Sequence, residues 1–155
     1  MDDLDRKILR LLQQDGRIRM ADLAEQVGLS PTPCARRVAR LEEDGVITGY
    51  GARVDQRKIG QAVTVFVTLE LDRQSVEVVS EFTKRVALFE EVMDCQLMTG
   101  SPDILMRVVV PDLEAFDRFL QSRLMTVPNV RNMRSSFTLR TLSHRAALPM
   151  TGRVH

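Results

Sequence analysis

Apolar residues recur at two periods along this chain, and the change of period divides it. Near the N-terminus the spacing is helical. Leu4, Ile8, Leu11 and Leu12 fall on one face and predict a helix over 4–15, which Asp15-Gly16 ends. A second helix is expected around Met20–Val27, with Leu23, Ala24 and Val27 inward. Gly28 then supplies the left-handed residue that a sharp inter-helix turn needs. Ser30 reads as the N-cap of a third helix, and Pro31 fits its first position, where no N–H is missed. Pro33 is still within the first turn, so the prolines define the start and do not break the helix. Cys34, Val38 and Leu41 share its inward face, and Glu42, Glu43 and Asp44 end it before Gly45. "VITGYGARVD", 46–55, reads as a small hairpin bent at its glycines. Helix, helix, turn, helix and hairpin make a winged helix-turn-helix over 1–54.

Residues 55–61 have linker character, and from Ala62 the period becomes two. Val63, Val65, Val67, Leu69 and Leu71 alternate along a strand. Val76, Val79, Phe82 and Val86 mark a helix, 90–98 a second strand and 104–110 a third. Leu113, Phe116, Leu120 and Leu124 mark another helix with Asp112 as N-cap, and 130–139 closes as a fourth strand. The order β-α-β-β-α-β over 62–142 is the ferredoxin-like pattern, without a strong internal sequence repeat. Residues 143–155 form a C-terminal tail, of which "TGRVH" is expected to be mobile. The fold class is α+β.

Composition narrows the function. A length of 155 residues suits one domain or two small ones. No apolar run approaches the roughly 20 residues that cross a bilayer. The acidic start "MDDLDRKIL" has no secretory apolar region, so a cytoplasmic protein with no membrane partner is expected. Cys34 and Cys95 lie far apart without a CxxC partner, and the only histidines are His144 and His155. Reduced thiols, no metal site and no cofactor follow from that inventory. With no nucleophile–base pair and no phosphate loop, the chain does not read as an enzyme. Net charge is +1, with eleven basic against ten acidic residues in 1–61 and eleven of each in 62–155. Any basic surface must therefore come from local placement.

Such placement occurs on the third helix. In a helix-turn-helix this element enters the groove with its N-terminal turn. The turn offers Ser30 and Thr32 hydroxyls, the apolar Pro33, and N–H groups suited to a phosphate. Arg36, Arg37 and Arg40 lie off the apolar stripe and are candidates for guanine edges or phosphates. A solvated arginine face is the competing reading, and which arginine reads bases is open. Arg17 and Arg19 precede the second helix and suit either backbone phosphate or plain loop charge. Cys34 sits on the core stripe and reads as a buried thiol.

"LDRKILRLLQQDGR", "LAEQVGLSPTPCARRVARLEEDGVITGY" and "TGSPDILMRVVVPDLEAFDRFL" together resemble the leucine-responsive/asparagine regulator (Lrp/AsnC) family over about residues 2–150. The resemblance implies an N-terminal reader of double-stranded DNA and a C-terminal effector and oligomerisation module. It also implies homodimers that associate into octamers or other even assemblies. Effectors in the family are usually amino acids, held near the loop between the second and third strands, here Thr99 to Asp103. Gly100 and Asp103 match the family's glycine-x-x-aspartate pattern, and Pro102 stands where the family often carries an aromatic residue. On that implication, backbone N–H groups around Gly100 and Ser101 meet the effector carboxylate and Asp103 meets its ammonium. Ser135, Ser136 and Thr138 then add hydroxyls from the last strand, or are plain strand-surface residues. An architectural DNA binder without effector response is the alternative. Relatives of this family that decarboxylate tetrapyrroles would be expected to use histidine, which this C-terminal domain lacks before His144.

Overall fold

The computed structural model describes residues 1–150, so the expectation for "TGRVH" lies outside the described residues. Two compact units emerge. One is Met1–Arg53 with the C-terminal stretch from Leu142; the other is Val54–Thr141.

The first unit holds α1 (Asp3–Gln14), α2 (Met20–Val27) and α3 (Pro31–Glu43). α1 begins with a reciprocal cap: the Asp2 carboxylate accepts from the Asp5 amide at 2.9 Å, and the Asp5 carboxylate accepts from the Asp2 amide at 2.9 Å. Gly28 ends α2 at φ +80, a conformation an L side chain enters only with strain. Ile8, Leu9, Leu23, Ala24, Val27, Cys34, Val38 and Leu41 are buried together. Each large side chain buried this way contributes about 1.5–3 kcal/mol. The inward face of α1 is rotated from the expected one: Leu9 is buried, whereas Leu11 and Leu12 are half-exposed.

The expected hairpin at 46–55 is not formed. Val46 and Ile47 both donate to the Leu41 carbonyl, and the chain then runs on without strand pairing. Of its apolar residues only Ile47 is even half-buried, so the segment lacks the alternating buried face that stabilises a ladder. Side chains hold it instead. Tyr50 Oη donates to Glu42 at 2.7 Å, and Arg53 donates to the Gln13 carbonyl at 2.9 Å. The C-terminal stretch also returns to Gln13, whose side chain accepts from the Leu148 amide at 2.6 Å and donates to the Leu148 carbonyl at 3.3 Å. Met150 packs on the same core.

The second unit holds β1 (Val63–Leu71), α4 (Val76–Val86), β2 (Val92–Leu97), β3 (Ile104–Val110), α5 (Leu113–Ser122), a 3-10 turn (Leu124–Thr126) and β4 (Val130–Phe137). The strands form one antiparallel sheet in the order β2-β3-β1-β4, the ferredoxin-like arrangement. Val65, Val67 and Leu69 lie opposite Val108, Met106 and Ile104, and all six are buried with Phe82, Phe116, Phe119 and Leu124. Ser75 and Asp112 cap α4 and α5 by accepting from the Val78 and Ala115 amides. Leu113, expected inward on α5, is exposed, and Phe119 fills the core from that helix. The 55–61 stretch is a series of turns, tied to β1 by Gln56 donating to the Thr64 hydroxyl at 2.9 Å.

Candidate nucleic-acid interface and effector site

α3 presents its N-terminal turn to solvent: Ser30, Pro31, Thr32 and Pro33 are all exposed. Ser30 occupies the N-cap position in extended conformation, but its hydroxyl makes no capping bond. The Cys34 amide closes the first helical bond onto the Ser30 carbonyl at 3.2 Å. An ordinary helix start leaves four free N–H groups. Here Pro31 and Pro33 have none to offer, so only the Ser30 and Thr32 amides remain. The prolines stiffen this end and halve the anion-binding donors expected of it.

The three arginines differ in state. Arg36 is exposed and has no ion pair or hydrogen bond among the described residues. It borders an open groove with Met20, Pro31, Thr32, Ala35 and Ala39. Arg37 turns inward, its Nη1 donating to Asp2 at 2.7 Å and to Asp5 at 2.7 Å. Arg40 donates from Nη2 to Asp5 at 2.8 Å, and its side chain stays half-exposed. The Asp5 side chain is fully buried. The Asp5 amide first and the Arg37 guanidinium second hold the Asp2 carboxyl down at about 2. Asp5 and Asp2 raise the Arg37 guanidinium in turn. Cys34 is buried, and that burial pushes its thiol up, consistent with a packing role. Arg19 pairs on the surface with Asp22 at 2.8 Å.

Asp2 and Asp5 are the residues the sequence reading missed. The only local signal was their spacing of three, that of a capping box.

In the second unit, Gly100 sits at φ +88 in the turn between β2 and β3. The Gly100 and Ser101 amides donate to no partner among the described residues and are free to meet an anion. Asp103 does not face that space. It is buried; one carboxylate oxygen accepts from the Leu71 amide at 2.7 Å and the other from the Gln74 side chain. The Leu71 amide and then Gln74 keep its carboxyl below the ordinary range. Both oxygens of Asp103, which the sequence offered as a partner for an ammonium, are engaged in fastening the loop to the end of β1. The charges beside the loop are the half-buried Glu70 and the exposed Arg131, paired at 2.9 Å, with the Ser101 hydroxyl donating to Glu70 at 3.1 Å. Pro102 is half-buried next to Asp103.

The β4 hydroxyls are not brought to this loop within one chain. Ser136 lies opposite Phe66 and Ser135 opposite Val67, and the Thr138 amide donates to the Thr64 carbonyl. Ser136 is thus four residues along β1 from Glu70, about 13 Å at strand spacing. Ser135 and Ser136 also point to opposite sheet faces.

Comparison with known proteins fits both units. Residues 1–48 match a winged helix-turn-helix DNA-binding family, and residues 64–148 match the Lrp/AsnC ligand binding domain. The chain is 43% identical over 150 residues to the Bkd operon transcriptional regulator of Pseudomonas aeruginosa, spanning 97% of this chain and 98% of that one. It is 40% identical over 135 residues to the leucine-responsive regulatory protein of Escherichia coli, spanning 87% and 82%. Among solved structures, an AsnC family transcriptional regulator from Agrobacterium tumefaciens superposes with a TM-score of 0.91 at 43% identity, covering 97% of each chain. A Neisseria meningitidis transcriptional regulator in complex with L-Met also superposes with a TM-score of 0.91, at 32% identity and 97% coverage of each chain. These relatives are named as transcription regulators and not as enzymes, and no described helix is long and apolar enough to cross a membrane. With a DNA-binding helical unit followed by a ligand-binding ferredoxin-like unit, the chain belongs to the Lrp/AsnC family of transcriptional regulators.

Proposed function

We propose that this regulator reads a defined sequence in double-stranded DNA with α3 and changes its DNA affinity and assembly when an amino acid binds. The observation that carries the DNA reading is Arg36, a guanidinium unpaired among the described residues on the open face of α3 beside Thr32, Ala35 and Ala39. A guanidinium suits the two acceptors of a guanine edge, and the small methyl-bearing side chains suit thymine methyls. Ser30, Thr32 and Pro33 contribute the stiff leading turn, and the free nitrogens of Arg40 lie toward phosphate.

The effector reading draws on relatives, one named leucine-responsive and one crystallised with L-Met. In this chain the Gly100 and Ser101 amides, unbonded among the described residues, suit a carboxylate, and Asp103 holds the loop in place. Ser135, Ser136 and Thr138 stand apart from that set. An even-numbered homo-oligomer is supported by Phe66 and Leu105, which lie on the sheet face opposite the helices and stay partly exposed in the single chain.

The occupied Asp103 carboxylate favours a second reading, an architectural DNA binder without effector. One experiment separates them. The purified chain selects duplexes from a randomised library, and its affinity for the enriched duplex is titrated with each standard amino acid. A shift with one of them supports the sensor. Enrichment with no shift supports the architectural reading, and no enrichment overturns sequence-specific DNA reading.

A further inference from the structure

The three arginines of α3 all lead toward one buried carboxylate or away from it. Asp5 has no exposed side-chain surface, yet its two oxygens take three donors: Arg37 Nη1, Arg40 Nη2 and the Asp2 amide. A buried carboxylate is stable only when fully partnered, so Asp5 fixes where the guanidinium groups of these two arginines lie. Arg37 and Arg40 lie one helical turn apart, at i and i+3, so one anion on α1 sets the rotation of α3 about its own axis. Asp2 balances the second positive charge by accepting from Arg37. The four groups are net neutral, which cancels most of the pull that Arg37 and Arg40 would exert on a phosphate backbone. Arg36, between Ala35 and Arg37 in sequence, is the one arginine of α3 outside this arrangement.

Resting on the assignment of α3 as the DNA-reading helix, we propose that Asp5 is its positioning residue. It withholds Arg37 from DNA, leaves Arg40 only its outer nitrogens, and sets the helix so that Arg36 is the one arginine of α3 that reads base edges. Discrimination between sequences then depends on a residue that touches no DNA.

The test measures affinity for the duplex that the wild-type chain enriches and for a scrambled duplex of equal length, across a salt series. Each phosphate contact adds about 0.9 to the slope of log affinity against log salt. The charge-balanced double variant Asp2→Asn/Arg37→Gln is expected to melt lower while keeping the wild-type slope. Asp5→Asn, which releases Arg40 and leaves Arg37 only its Asp2 partner, is expected to steepen the slope by about 1 and to reduce the ratio of enriched to scrambled affinity at least tenfold. A double variant whose slope becomes shallower by about 0.9 would place Arg37 on a phosphate and overturn the proposal. So would a folded Asp5→Asn variant with unchanged slope and ratio, the result a merely stabilising role gives. If Asp5→Asn does not fold, Asp5→Glu, which keeps the charge and moves the oxygens, takes its place, and an unchanged ratio of enriched to scrambled affinity in it overturns the proposal. A wild-type chain that enriches no duplex overturns the DNA reading itself, which these variants do not touch.

Discussion

The Leu71 amide donates to the Asp103 carboxylate at 2.7 Å, joining the end of β1 to the loop before β3 across 32 residues of chain. Because this carboxylate is buried and partnered, its first role is to hold Gly100 to Pro102 in shape. Asp103→Ala is expected to cost about 1–3 kcal/mol by orphaning the Leu71 N–H. Asp103→Asn, which keeps an acceptor, is expected to recover most of it. Thermal melts of the two variants check this; equal stability of Asp103→Ala and wild type would contradict it.

Acid lability follows from the same kind of contact. Asp2 is held at about 2 against an ordinary 3.8, and Asp103 is also lowered. The folded chain binds these protons more weakly than the unfolded one. The Asp2 contribution is complete above about pH 5 and is lost as pH falls toward 2, and the Asp103 contribution is likewise lost on acidification. Asn is as good an N-cap as Asp, so Asp2→Asn keeps the cap and removes the titration. Its unfolding free energy is expected to fall less steeply between pH 4 and 2. An acid profile identical to the wild type would contradict the Asp2–Arg37 contact.

Tyr50 is the single tyrosine in a chain without tryptophan, so its ionisation is directly visible in absorbance. Burial first, and the Glu42 carboxylate second, push its phenol up to about 12. The neutral phenol is favoured by the fold, and the associated stability is lost as pH rises above about 10. An alkaline titration is expected to show Tyr50 ionising well above pH 10, and Glu42→Gln is expected to lower that midpoint. Ionisation near 10 in the folded protein would remove the Tyr50–Glu42 bond from the account.

Gln13 receives Arg53 on its carbonyl and Leu148 on its side chain, at the end of α1. Gln13→Ala removes both Leu148 bonds, and at this exposed site is expected to cost about 1 kcal/mol. Cleavage by protease within 142–150 is expected to quicken severalfold. Unchanged cleavage would mean that Gln13 does not secure this stretch.

Periodicity carried most of the fold. The alternation of Val65, Val67 and Leu69 named both the strand and its buried face, because a period of two has one structural solution. Helix faces were less legible. On α1, Leu9 and Leu12 lie three residues apart on neighbouring arcs, and the packing of α2 and α3 chose Leu9. The 46–55 glycines signalled a bend, but whether strands pair depends on buried area that the segment lacks. At the candidate sites, residue types were legible and their states were not. Arg36, Arg37 and Arg40 look alike in sequence; only the fold brings Asp5 to two of them, 32 and 35 residues away. Asp103 was visible as a loop carboxylate, while its engagement by Leu71 and Gln74 depends on β1 running beside the loop.

The most direct measurement of the central claim is the affinity of Arg36→Ala for the duplex that the wild-type chain enriches. The account predicts a loss of about 1–3 kcal/mol, roughly fivefold to 150-fold, with an unchanged melting temperature and little change on a scrambled duplex. Wild-type affinity and wild-type discrimination in a folded Arg36→Ala chain would contradict it.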